Sequence, residues 1–369
     1  MRFRVVKAFF VKELLELIRT KIILMPYVMP IMIVILFGYG IKMQVVGARV
    51  LIIDNDHSKI SALLTQKFQN SRYFNAALSN QSEAEALREM KKANLDAILI
   101  IPPSFEKNLL KNVKSELGIF VDASFPSRAN TVETYVEGTV LSLASEMGAP
   151  KSVITLNNRN LFNEALRDEE MIVPGLLGLV LFVAPAILTA LIIAKEKEKG
   201  TIFNFYSSSV TKLEFLIAKL SVAFTLHSLN VFILFALVVY LFDLPFRGNF
   251  FLYWLSSELY ILVSLGMGLL ISILVSTQIL AVVLTLMLTM LPAFMYSGII
   301  MPINSMSGEA YYIAHAYPVM YYNHIVYDAF LVGSGFESAK NVEYLLILAL
   351  YALGFFLVGL LLLKKELKS

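Results

Sequence analysis

The longest unbroken run of charge in the sequence is Lys195-Glu196-Lys197-Glu198-Lys199, followed by Gly200 and Thr201. It directly follows one uncharged apolar stretch and precedes another. Alternating Lys and Glu suit ion pairing rather than bond making. Gly200 permits a sharp turn, and Ile202, Phe203, Phe205 and Tyr206 add apolar contact surface beside the charges. Two readings fit: a solvated basic loop, or a short helix lying under a membrane and docking another protein.

Other polar side chains stand alone in apolar surroundings. His227 and Asn230 share a helical face at i, i+3, suited either to an interhelical hydrogen bond or to lining a substrate path. Glu258 falls either within hydrocarbon, where a functional role becomes the default, or at an interface marked by Tyr253 and Trp254. Glu309 and His315 lie in a tyrosine-rich stretch that could gate an outer opening or pack at the interface.

Catalytic patterns are missing. No G-x-x-x-x-G-K-[ST], HExxH or G-x-S-x-G occurs, the four histidines (His57, His227, His315, His324) are scattered, and there is no cysteine. We therefore expect no catalytic residue, no metal and no cofactor. A net charge of +3 without a basic, aromatic-interleaved stripe argues against nucleic acid.

The elements holding these residues follow from hydropathy. The chain is 57% hydrophobic, with a mean hydropathy of +0.70. Six stretches meet the requirement of roughly 20 apolar residues per span: 22–42, 171–194, 220–242, 251–276, 279–300 and 344–363. Residues 43–170 carry about half of all charged side chains and alternate strand-like and helix-like patterns, as expected of an inserted mixed α/β domain. Strands are expected over 45–53, 97–101 and 117–121, and helices over 58–69, 82–93 and 129–147. Residues 1–21 read as an amphipathic helix on the inner leaflet, with Val5, Val6, Phe9, Phe10, Leu14, Leu17 and Ile18 on one face. Residues 301–343 suggest short helices in the outer leaflet, and 364–369 a tail. Lys and Arg cluster before the first span, between the second and third, and after the sixth. That asymmetry places both termini and residues 195–219 in the cytoplasm, and residues 43–170 outside.

In order along the chain stand Lys12-Glu13-Leu14 with Arg19, Pro30, Phe37-Gly38-Tyr39-Gly40, Asp54-Asn55-Asp56-His57-Ser58 and Tyr73-Phe74. Then come Ile101-Pro102-Pro103-Ser104-Phe105-Glu106, Val121-Asp122-Ala123-Ser124, Phe162-Asn163 and Ile172-Val173-Pro174-Gly175. Glu196-Lys197-Glu198-Lys199-Gly200-Thr201, Ser297-Gly298, Met301-Pro302-Ile303 and Tyr317-Pro318 complete the series. In this order and spacing the chain resembles the ABC-2 type permeases, membrane subunits of bacterial ATP-binding-cassette exporters, in the subgroup with a large extracytoplasmic domain after the first span. The resemblance implies a six-helix, type V exporter-like fold in the inner membrane. It also implies a second permease copy or paralogue, separate ABC ATPase subunits as partners, and ATPase coupling through Lys195–Ser209. Where the family commonly continues Gly-Thr with Leu-Glu and a proline-containing segment, this chain has Ile202-Phe203-Asn204-Phe205 and Ser207-Ser208-Ser209.

The expected function is thus outward transport of a hydrophobic or amphiphilic substrate (drug or lipid-like), driven by a partner ATPase. A periplasmic adaptor could dock on the outer domain, and membrane lipids surround the spans. The alternatives are a membrane-anchored receptor or assembly scaffold that binds through residues 43–170 and, further off, a membrane hydrolase.

Overall fold

The structure is a computed structural model that describes residues 2–20, 24–41, 46–91, 94–111, 116–122, 126–146, 168–299, 303, 306 and 308–363. The expected tail 364–369 and the family marks Phe162-Asn163 and Met301-Pro302 lie outside the described residues. Helices α1 (Phe3–Arg19) and α2 (Met25–Gly40) come first. Next come β1 (Ala48–Asp54), α3 (Lys59–Gln69), β2 (Phe74–Ser79) and α4 (Glu83–Lys91). Then β3 (Ala97–Ile101), α5 (Phe105–Leu110), β4 (Gly118–Val121) and α6 (Pro126–Glu146) follow. Every later described element is helical: α7 (Asp168–Glu198), α8 (Ile202–Ser207), α9 (Lys212–Ala236), α10 (Phe250–Leu274) and α11 (Gln278–Thr285). The series ends with α12 (Leu291–Tyr296), α13 (Glu309–Ala316), α14 (Pro318–Tyr327) and α15 (Ala339–Leu362). Two compact units result, Met1–Ile41 with Asn160–Ser369, and Lys42–Arg159.

Among the described residues of the first unit, five helices are long and apolar enough to cross a membrane: α7, α9 extended by π-helical turns to Leu241, α10, the α11–α12 rod Gln278–Tyr296, and α15. The expected spans over 171–194, 220–242, 251–276, 279–300 and 344–363 fall on these helices in turn. The rod is joined by π-helical turns at Leu286–Met290, and Pro292 opens α12. Helix α2, where the first span is expected, has 16 described helical residues. That is about 24 Å, short of a hydrocarbon core of roughly 30 Å.

Helix α7 is apolar on all sides from Met171 to Ala194 and is buried along that length, packing against α2, α9, α10, α11 and α14. Two glycines set the close approaches. A Cβ at Gly268 would lie 2.3 Å from the Ala186 carbonyl oxygen, and one at Gly178 would lie 1.8 Å from Asn323 Oδ1. Across the first of these seams, Tyr260 donates to the Gly178 carbonyl at 3.0 Å and Ser264 donates to that of Phe182.

The second unit holds a four-stranded sheet in the order β2-β1-β3-β4, parallel except for the β3–β4 pair. Alternation along β1 sends Val50 and Ile52 towards α3, α5 and α6, and Leu51 and Ile53 towards α4. The Asp54-to-Ser58 motif is consumed in holding this fold. Asp54 accepts from the Asp56 and His57 amides and from Ser61 Oγ at 2.7 Å. Asp56 reaches across to the amides of Phe105 at 3.0 Å and Glu106 at 2.9 Å. Strand β2 and the single-turn α5 are elements that the sequence pattern does not announce. β2 is an edge strand with only Phe74 fully buried, so its residues show no clean apolar alternation.

Candidate functional site

The charged run does not form a helix of its own. Residues 195–198 are the last turn of α7, Gly200 breaks the chain direction at φ +72°, and the separate short helix is α8. An apolar span running straight into a charged turn keeps its helix because Lys and Glu are good helix formers, and Gly suits the left-handed position beyond it.

Each charge in this turn is held by a different neighbour. Lys195 Nζ lies 2.7 Å from Glu16 of α1, and that hydrogen bond holds the Glu16 carboxyl below the usual carboxylate range. Glu196 accepts from Lys219 of α9 at 2.6 Å and lies 3.7 Å from Lys12. Lys219 also donates to Glu13, whose carboxyl burial pushes up while the lysine opposes. Lys197 donates to the carbonyls of Ser272 at 2.5 Å, Ile273 at 3.1 Å and Val275 at 3.1 Å. These belong to the C-terminal end of α10, where helix carbonyls lack internal partners and a cation suits the dipole. Glu198 accepts from the Gln278 amide at 2.6 Å, which opens α11 and favours an anion. One turn of α7 thereby clamps α1, α9 and both sides of the α10–α11 corner.

Helix α8 is seated by one face. Ile202 and Phe205 are buried in a cluster with Ile193, Phe215, Leu216 and Leu269, and Phe205 stacks on Phe215 at 4.2 Å. Its other face is open: Lys199, Thr201, Phe203 and Asn204 are exposed, Phe203 at 53%. The residues singled out over 195–205 thus divide by what holds them. Lys195 to Glu198 are bonded within the chain, Glu198 while exposed, and Phe205 is buried, whereas Lys199, Thr201 and Phe203 are exposed. The apolar face of α1 packs on α9, with Val6 and Leu17 buried and Ile18 exposed.

The isolated polar residues are not brought together with this turn. His227 and Asn230 are fully buried in α9, and none of their side-chain nitrogens or oxygens has a hydrogen-bond partner among the described residues. The hydrogen bond expected between helices is thus not made there. Glu258 sits two turns inside α10 rather than before it, buried, with Ser228 of α9 donating to it at 2.6 Å. Glu309 is an exposed residue in the first turn of α13. His315 Nδ1 lies 2.8 Å from the Tyr311 carbonyl oxygen.

A model of the ABC-2 family transporter proteins matches residues 21–361. The chain belongs to this family. The probable multidrug ABC transporter permease YbhS of Escherichia coli K12 is 30% identical over 90% of this chain and 89% of its own length. The corresponding YbhR is 27% identical over 89% of this chain and 90% of its own. The inner membrane transport permease YhhJ of the same strain is 22% identical over 86% and 85%. The chain is thus an ABC-2 permease and a multi-pass membrane protein.

In this permease the sequence-level reading missed Glu13, Lys219 and the Arg2–Glu214 pair as parts of the site. A signal existed for Glu13, the charge interrupting the apolar stripe Val6, Phe10, Leu17 of α1. Arg2 donates from its backbone nitrogen to Glu214 at 2.6 Å and from its guanidinium at 3.1 Å. Glu214 also closes a capping box with Thr211, so the start of the chain is pinned to the start of α9. No local pattern predicts a pairing across 212 residues.

Proposed function

We propose that this permease is the membrane subunit of an ATP-driven ABC exporter, moving a hydrophobic or amphiphilic substrate outward by alternating access. The observation that carries the proposal is the charged last turn of α7, tied to α1, α9, α10 and α11, with α8 seated beside it. A partner pressing on Lys199, Thr201 and Phe203 would move several helix ends as one body, because interlocked ion pairs and a packed aromatic contact leave little slack. That partner is an ABC ATPase subunit, since the chain has no P-loop of its own. The multidrug permeases among its relatives support a drug-like cargo. In this reading α2, completed by the residues flanking it in 22–42, is the first of six spans. Both termini are cytoplasmic in the inner membrane, residues 43–170 lie outside and can receive an adaptor, and a second copy or paralogue completes the pathway.

The test is co-expression with an ABC ATPase from the same gene neighbourhood, reading substrate-stimulated ATP hydrolysis and drug efflux. F203A and K199E should lower both by about tenfold, the effect of losing one central interface contact, with the melting temperature unchanged. Parent-like coupling in both variants would rule out the α8 face as the docking point. Failure of any ABC ATPase to associate would favour the receptor or scaffold reading instead.

A further inference from the structure

A cavity of about 740 Å³ opens among the N-terminal turn of α7, helices α13 and α14, and the first turns of α15. Its size is that of a drug-binding pocket, roughly 300–1,000 Å³. Its lining mixes two kinds of side chain. Tyr321 and Tyr344, each 9% exposed, meet edge to face at 5.0 Å, with Tyr311 at the rim. Tyrosine faces attract cations, and Lys340 already holds its ammonium 5.6 Å from the Tyr344 centroid. One turn further along α15, Glu343 also lines the cavity, is exposed, and makes no ion pair among the described residues. The rest of the lining includes apolar, adaptable side chains, with Met171, Met320 and Ile347.

An anionic ligand fits this lining poorly. His324 is 3.8 Å from the Asp328 carboxylate, and His315 Nδ1 is already at the Tyr311 carbonyl, which leaves Lys340 as the open cationic contact and Glu343 opposing it.

We infer that this cavity binds an amphiphilic organic cation. Its charged head lies between Glu343 and the faces of Tyr321 and Tyr344, its apolar body rests along Met171, Met320 and Ile347, and Lys340 is the built-in occupant it displaces. The inference stands apart from the export reading, since binding here needs neither ATP nor transport. Either a soluble drug-like cation or an amine-headed lipid of the bilayer could supply this chemistry.

The probe is radiolabelled tetraphenylphosphonium, equilibrated with the full chain in phosphatidylglycerol nanodiscs and corrected for empty discs. Saturable binding is expected. E343Q should weaken it by about tenfold, the scale of one partly desolvated charge contact. K340A should strengthen it severalfold by vacating the box, and I347W should remove it by filling the cavity. Lys340 and Glu343 are exposed, so their opposite signs decide the matter even where I347W fails to fold. Adding phosphatidylethanolamine separates the sources: competition assigns the site to an amine-headed lipid, and undiminished binding assigns it to a soluble cation. Weaker binding in K340A, unchanged binding in both E343Q and I347W, or displacement by dodecyl phosphate would overturn the inference.

Discussion

Lys219 has exchanged nearly all of its water for two carboxylates, Glu13 and Glu196, and the three depend on one another. Replacing it by methionine leaves two acids facing each other, with the exposed Lys12 at 3.7 Å from Glu196 beside them. The expected cost is about 3–5 kcal/mol, as for other broken buried pairs. The triple variant K219M/E13Q/E196Q should recover much of that loss. Thermal unfolding in detergent measures both, and a triple variant as unstable as K219M would show that the groups are not coupled. Asp56 makes the opposite kind of bond, half-buried and directed at backbone amides. The hydrogen bond with Ser58 comes first, and the amides of Glu106, Phe105 and Ser104 add to it, so its carboxyl is held below the usual range. A depressed folded pKa contributes stability above the unfolded value near 3.9 and loses it as pH falls through the folded value. Acid unfolding of the Lys42–Arg159 unit should therefore shift in D56N, with the parent–variant gap closing below about pH 4. A gap that persists unchanged to lower pH would show that the carboxylate charge is not what Asp56 contributes.

At the scale of elements, α8 has one seated face and one exposed face, and on the proposed docking role truncating each should have a different signature. F205A removes the ring stacked on Phe215 and should destabilise by about 3–5 kcal/mol, with coupling lost as a consequence. F203A should leave the melting temperature in place. Equal melting losses in the two variants would mean that Phe203 is held by the fold as well. K197M tests the α10 corner: three carbonyls lose their donor together, and a destabilisation of about 1–3 kcal/mol is expected from thermal unfolding. These roles were only half legible in the sequence. Lys195 to Thr201 could be singled out because charge beside an apolar run is a local signal. Which of those charges faces inward is decided by Glu16, Lys219, Ser272 and Gln278, all distant in sequence. Phe205 and Phe203 are identical in type and two residues apart, and only the packing of Phe215 separates them.

At the scale of the whole molecule, hydropathy was the most readable layer, since the length of a spanning helix follows from the solvent it must cross. The helix over 344–363 and the strand over 97–101 lie where composition puts them, because both are continuous apolar runs. Edge strand β2 and the partner of α1's apolar face were hidden, as elements elsewhere in the chain complete them. The two units carry separate hydrophobic clusters, one around α7 and one on the sheet. In calorimetry of the full chain, K219M and D56N should accordingly act on different transitions. A single transition moved by both would show the clusters to unfold together.

The four-way clamp at the end of α7 also bears on transplantation. A recipient permease given only residues 195–201 of this chain would receive four charges whose counterparts stay behind in α1, α9 and the α10–α11 corner. On the docking role proposed for this turn, choice of motor is then not a portable cassette. Swapping it between permeases calls for moving Glu13, Glu16, Lys219 and the Gln278 corner in the same step.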